Sequence, residues 1–70
     1  MNSNEQIQPL ETPINLHEVV GNYERRLILQ ALKKCNGIQT RAAEQLGTTR
    51  RILRYRMEKL GIDPQYGKHA

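Results

Sequence analysis

Two short helix patterns follow one another, with a glycine between them, in residues 39–60, QTRAAEQLGTTRRILRYRMEKL. The first pattern stops at Gly47. The second starts after Thr49, a residue type favoured as an N-cap, and stops before Gly61. Two helices joined by a turn as short as residues 47–49 must cross at a steep angle. The sequence therefore predicts a helix-turn-helix.

The second helix of this motif has an apolar side and a cationic side. At about 100° per residue, Leu53, Met57 and Leu60 fall together and are expected to pack on the other helices. The outward side carries Arg50, Arg51, Ile52, Arg54 and Tyr55. A guanidinium group presents two donors that match phosphate oxygens or a guanine edge in the major groove. This side therefore predicts contact with double-stranded DNA.

Several of these residues also have a purely structural interpretation that the sequence leaves open. Thr49 could simply cap its helix, and Arg54 could pair with Glu58 one helical turn later. Tyr55 could pack its ring on neighbouring aliphatic chains. Arg41, on the first helix of the motif, could form an inter-helix ion pair or contact phosphate.

A longer helix is predicted upstream of the motif. Apolar residues recur at three- and four-residue steps over residues 16–32. Asn15, followed three residues later by Glu18, has the form of a capping box, and residues 36–37, Asn-Gly, offer a left-handed C-cap. Gly21 destabilises a helix interior by about 1 kcal/mol relative to alanine, so the helix could kink or split there. The expected fold class is all-α.

The upstream helix is more apolar than a three-helix monomer of this size needs. A chain of 70 residues is marginal on its own, and its one cysteine, Cys35, cannot form an internal disulfide. The two histidines are too far apart for a zinc site, so no metal or cofactor is expected. We expect a homodimer whose interface includes Leu16, Val19, Val20, Tyr23 and Leu27. Simple core packing remains the alternative for this stripe.

Positive charge is concentrated in the centre of the chain. The net charge is +4, yet ten of the eleven Lys and Arg residues lie between Arg25 and Lys59, where Glu44 and Glu58 are the two acids, giving 10 − 2 = +8 for that window. Such a body suits a polyanionic partner, although a well-solvated helix surface would account for the charge alone equally well.

The composition also bears on location and on catalysis. The lone cysteine and the lack of a long apolar run predict a reducing, cytoplasmic setting without a membrane. No carboxylate pair, Cys-His grouping or phosphate-cradling glycine loop supports catalysis, so this segment is not expected to be an enzyme. The expected organisation is a linker over residues 1–14, a helical domain over 15–62 and a tail over 63–70.

Residues 36–54, NGIQTRAAEQLGTTRRILR, resemble the Fis-type helix-turn-helix, and in particular the C-terminal DNA-binding domain of NtrC-family enhancer-binding activators. Residues 23–32, YERRLILQAL, resemble the long helix that precedes the motif in such domains, so that the likeness covers about residues 16–62. The resemblance implies a homodimer formed through the first helix. It also implies phosphate contacts from Gln39 and Thr40 and further DNA contacts from Thr49, Arg50, Ile52, Arg54 and Tyr55.

The same resemblance implies a parent protein that activates RNA polymerase carrying the sigma-N factor, through an ATPase domain outside these residues. The domain would then bind inverted half-sites about one helical turn, ~34 Å, apart. Thr48 stands where the family has an apolar turn residue, Ile52 where threonine is common, and Arg54-Tyr55 inverts a frequent order, differences that bear on base preference. Two alternatives are a stand-alone Fis-like nucleoid protein that bends DNA and a helical docking module that does not bind DNA.

Overall fold

The computed structural model describes residues 13–68, and these residues form three helices and no strand: α1 (Leu16–Lys34), α2 (Gln39–Gln45) and α3 (Arg50–Lys59). The all-α prediction is confirmed. Most of the predicted linker, and His69 in the predicted tail, lie outside the described residues.

α1 begins and ends where its capping residues predict. The Oδ1 of Asn15 accepts a hydrogen bond from the N–H of Glu18 at 3.0 Å. The helix then runs without a break through Gly21, so that it forms one element of 19 residues instead of two. Its last turn closes when the N–H of Gly37 donates to the Leu32 carbonyl at 2.7 Å, which satisfies an acceptor that the helix end leaves free.

A tight turn reverses the chain between α2 and α3. Gly47 has φ +69°, a left-handed conformation that a side chain would disfavour, and the next N–H, of Thr48, donates to the Ala43 carbonyl at 2.9 Å. The Oγ1 of Thr49 then accepts from the N–H of Ile52 at 3.2 Å and caps α3. These contacts close the short turn that the sequence predicted between α2 and α3.

The core lies where the three helices meet. Ala42 and Ala43 are 0% and 1% exposed, because their small side chains let α2 approach both neighbours closely. The buried apolar side chains come from every helix and from the chain after α3: Ile28, Ala31, Leu32, Ala42, Ala43, Leu53, Met57 and Ile62.

The chain after α3 packs against the domain. Ile62 is buried, and the Nε2 of Gln39 donates to the Pro64 carbonyl at 3.2 Å. At Gly67, φ is +86° and an added Cβ would lie 2.8 Å from the Leu32 carbonyl oxygen, so the backbone runs directly over the end of α1. The tail predicted from residue 63 is thus a packed turn as far as Lys68, because Ile62 and Gly67 bring it back onto the core.

Candidate nucleic-acid interface

α3 is fixed in its rotation by two buried side chains. Leu53 is 1% exposed and Met57 is 2% exposed, and they hold one side of α3 against the core. The five predicted outward residues, Arg50, Arg51, Ile52, Arg54 and Tyr55, are all exposed. α3 therefore presents three guanidinium groups on a single helix face, and these groups can reach a partner without any rearrangement of the core.

A bidentate ion pair ties α3 to α1. The Nε of Arg56 lies 2.6 Å from Oε2 of Glu24, and its Nη2 lies 2.7 Å from Oε1. Hydrogen bonding from Arg56 holds the pKa of the Glu24 carboxyl below its ordinary range, and the same bond raises the pKa of Arg56. Next to this pair, Arg25 Nη1 donates to the Leu60 carbonyl at 2.6 Å, at the C-terminal end of α3.

Neither of these inter-helix contacts was predicted. Their partners are 32 and 35 residues apart, and no spacing rule within one helix relates them. A signal was nevertheless present in the sequence, since the helical period puts Arg56 on the flank of α3 beside the core residue Met57. In the structure Arg56 is half-buried. An arginine at such a position commonly keeps its charge by pairing with a carboxylate on the neighbouring element.

The intrahelical pair with Glu58, which the sequence left open as an alternative role for Arg54, is not formed in the structure. Within residues 13–68, the one ion pair joins Arg56 to Glu24, so Glu58 does not hold Arg54 and no carboxylate of this part of the chain holds Arg41. Both arginines are exposed. Thr49 does fill the capping role, a role that is compatible with a phosphate contact because a hydroxyl can both accept and donate.

Tyr55 combines exposure with a cationic neighbour. The residue is 54% exposed, and the Nζ of Lys59 lies 5.4 Å from the ring centroid, within the range of a cation–π contact. The ring therefore rests against the next turn of α3 and still leaves about half of its surface open, as does Ile52 at 52%.

The structure places the two residues at the start of α2 differently from one another. Thr40 is exposed. Gln39 is 9% exposed, and its Nε2 already donates to the Pro64 carbonyl at 3.2 Å, so the structure does not leave its side-chain amide free for the phosphate contact that the resemblance implied. The resemblance to a family could not reveal this, because the packed turn that supplies Pro64 lies beyond residue 62.

Residues 20–60 match a family model described as "Bacterial regulatory protein, Fis family", a match that covers α2, α3 and most of α1. The chain belongs to the Fis family. The predicted resemblance to the Fis-type helix-turn-helix is thereby confirmed, and membership supports DNA binding by a regulator.

This Fis-family chain is similar to two regulators. It is 49% identical over 49 residues to the response regulator protein PilR of Pseudomonas aeruginosa, and the aligned region covers 70% of the chain and 11% of PilR. It is 42% identical over 50 residues to the regulatory protein AtoC of Escherichia coli K12, and the aligned region covers 71% of the chain and 11% of AtoC. The chain therefore spans about a tenth of the length of these relatives. No solved structure matches it significantly.

A second exposed surface of the Fis-family domain lies on α1. The five residues predicted to form a dimer interface are 37% to 67% exposed, in the order Leu27, Val19, Val20, Tyr23 and Leu16. The residues of α1 that do pack on α2 and α3, Ile28 and Leu32 among them, lie on a different side of the helix. The two apolar sides of α1 are thus distinct, and the core of one chain uses only one of them.

The described part of the chain adds two further observations. None of its helices has both the length and the apolar character that crossing a bilayer requires. Within residues 13–68, no three His, Cys, Asp or Glu side chains come close enough to hold a metal ion. The two exposed surfaces that the sequence predicted to be functional are the cationic face of α3 and the apolar side of α1.

Proposed function

We propose that this domain binds double-stranded DNA sequence-specifically as a homodimer, with α3 in the major groove. The observation that carries this function is the orientation of α3. Leu53 and Met57 are almost wholly buried, whereas Arg50, Arg51 and Arg54 are exposed along the same helix. A helix held rigidly by its apolar side can offer donors in a fixed pattern, which base recognition requires.

Each exposed residue of the proposed interface has a role that follows from its chemistry. The arginines can bind bidentately to guanine or fork onto phosphate, and Ile52 can contact a thymine methyl. Thr40, Thr49 and Tyr55 carry hydroxyl groups suited to phosphate oxygens. The contacts to phosphate would fix the register of α3, and the contacts to base edges would supply the preference for sequence.

Dimerisation is proposed through the exposed apolar side of α1. Leu16, Val19, Val20, Tyr23 and Leu27 together form a stripe that a second copy of the chain could bury. A twofold pair would present two α3 helices to inverted half-sites about 34 Å apart. Such a stripe on a domain this small also provides the additional apolar burial that a short chain lacks by itself.

We further propose that the domain serves a sigma-N-dependent transcriptional activator, in which other domains contact RNA polymerase and hydrolyse ATP. The likeness to a response regulator and to a regulatory protein, each about nine times longer than the matched region, supports a regulator over a stand-alone nucleoid protein. No catalysis is assigned to the segment itself.

The test is selection of bound duplexes from a randomised pool, followed by titration of the selected duplex at several salt concentrations. An inverted repeat should be enriched, and log K should fall linearly with log salt, with a slope of about −0.9 for each phosphate neutralised. A flat salt dependence, or a pool without enrichment, would reject sequence-specific DNA binding. Enrichment of a single half-site would reject the homodimer.

A further inference from the structure

The turn after α3 holds Lys68 at a defined place. Ile62 is buried under the turn, and Gln39 Nε2 donates to the Pro64 carbonyl at 3.2 Å. Inside the turn, the N–H of Lys68 donates to the Gln65 carbonyl at 3.1 Å. These contacts fix the backbone at Lys68, whose side chain is exposed.

Lys68 lies directly against the loop between α1 and α2. A Cβ built on Gly37 would be 2.7 Å from the backbone nitrogen of Lys68 and 2.9 Å from its Cα. Only a residue without a side chain permits so close an approach. The approach brings Lys68 from the end of the described chain to the same side of the domain as the start of α2.

Lys68 and Arg50, the first residue of α3, line one open cleft, whose other walls are Asn36, Gly37, Ile38 and Gln39. The lining thus holds two cations and no carboxylate. The neighbouring cleft differs, because there Arg54 shares the lining with Glu58. The positive charge of the Arg50–Lys68 cleft is not offset by its own walls, an arrangement that favours a phosphate group.

We propose that Lys68 contacts a DNA backbone phosphate beside the groove that α3 enters, so that the interface extends past the helix-turn-helix to the packed C-terminal turn. This inference rests on the proposed DNA binding, because it assigns a further residue to the same interface. A lysine ammonium is a point charge without the fork of arginine, so Lys68 would strengthen binding without discriminating between sequences.

The test compares variants on two labelled probes, a mixed-sequence duplex and the duplex selected from the random pool. Lys68→Met and Lys68→Gln both remove the positive charge and replace it with different side chains. Lys68→Arg keeps the charge. Lys33→Met is the matched control, because it removes one exposed charge from α1. Both charge-free Lys68 variants should reduce the salt slope by about 0.9 per protomer. At about 0.1 M salt their affinity for both probes should be roughly eightfold weaker per protomer.

Lys68→Arg and Lys33→Met should bind both probes as the unaltered chain does. Equal binding by Lys68→Met, Lys68→Gln and Lys33→Met would overturn the role of Lys68 and leave the proposed DNA binding intact. Loss on the selected duplex alone would also overturn it, because a phosphate contact must act on both probes. Failure of the unaltered chain to bind either duplex would overturn the proposed function itself.

Discussion

Arg56 of α3 donates two hydrogen bonds, of 2.6 and 2.7 Å, to the carboxylate of Glu24 in α1. The pair joins α3, which carries the exposed arginines, to α1, which carries the exposed apolar stripe. It thereby helps to set the angle between the two surfaces that a DNA-bound dimer would use. The contact is structural, because both of its charges are taken up within the domain.

Glu24→Gln should make the stability of the domain less dependent on pH. The pKa of Glu24 is lowered in the folded chain, so its ion pair stabilises the fold above the unfolded-state value of about 4.3. That contribution disappears as the pH falls through the lower folded-state pKa. Thermal melts should therefore place the variant below the unaltered chain at neutral pH, with the gap closing in acid.

Glu58→Gln is the matched control for this series, since Glu58 is exposed on α3 and does not share in the ion pair. Its melting temperature should differ little from that of the unaltered chain at neutral pH. A gap between the Glu24→Gln variant and the unaltered chain that persists undiminished in acid would show that the carboxylate charge of Glu24 is not what stabilises the fold.

Leu53→Ala and Ile52→Ala should differ in their loss of stability, because Leu53 lies on the buried side of α3 and Ile52 on the exposed side. Leu53 is 1% exposed, and its truncation should cost about 2–5 kcal/mol, as much as a domain of this size has in total. Ile52 is 52% exposed, and its truncation should change stability by no more than about 0.5 kcal/mol. Circular dichroism should show Leu53→Ala largely unfolded and Ile52→Ala fully helical. Equal losses would contradict the assigned rotation of α3.

Much of the fold could be predicted from local signals. Asn15 and Thr49 each accept the N–H three residues on, as N-cap residues do, and Leu53 and Met57 share a buried side because they lie one turn apart. The interruption considered at Gly21 does not occur. A Cβ built on Gly21 would lie 3.8 Å from Leu60 Cδ2, so α1 packs on the end of α3 at this point, and such packing supports a helix through one glycine.

What the sequence could not supply is contact between distant residues. Three features depend on how the helices pack: the Arg56–Glu24 pair, the hydrogen bond from Arg25 to the Leu60 carbonyl, and the position of residues 63–68. The inward turn of the Gln39 side chain follows from the last of these, because its acceptor is the Pro64 carbonyl. The outward residues of α3 were predictable because one helical period fixes them relative to the core residues.

Gly67→Ala should test whether the C-terminal turn belongs to the domain. Gly67 and Gly47 both have positive φ, so an alanine at either should cost about 1–2 kcal/mol. Only at Gly67 would the new Cβ also meet the backbone, 2.8 Å from the Leu32 carbonyl oxygen, whereas at Gly47 nothing lies within 4 Å. Gly67→Ala should therefore melt at least about 4 °C below Gly47→Ala. Identical melting would mean that the turn does not pack on α1.

Tyr23→Glu should abolish or weaken the proposed dimer while leaving the fold of each chain intact. Tyr23 is 60% exposed in the single chain, so a glutamate there meets no steric obstacle, yet in a dimer it would bring a charge into an apolar interface. The dimer dissociation constant should rise by roughly thirtyfold or more, about 2 kcal/mol.

Asn22→Glu is the control for dimerisation, because Asn22 is exposed on another side of α1 and the substitution adds the same charge. Sedimentation equilibrium should find Asn22→Glu dimeric at concentrations where Tyr23→Glu is monomeric. Equal association of the two variants would place the dimer interface elsewhere.

The affinity of Arg54→Ala for the selected inverted repeat shows whether α3 reads DNA with its outward guanidinium groups. Arg26→Ala, which removes an exposed arginine from α1, serves as the control. Arg54→Ala should lose about 1–3 kcal/mol of binding and should relax the preference for one base pair in each half-site, while Arg26→Ala binds nearly as the unaltered chain does. Equal affinities and equal base preferences for the two variants would show that α3 does not read DNA through Arg54.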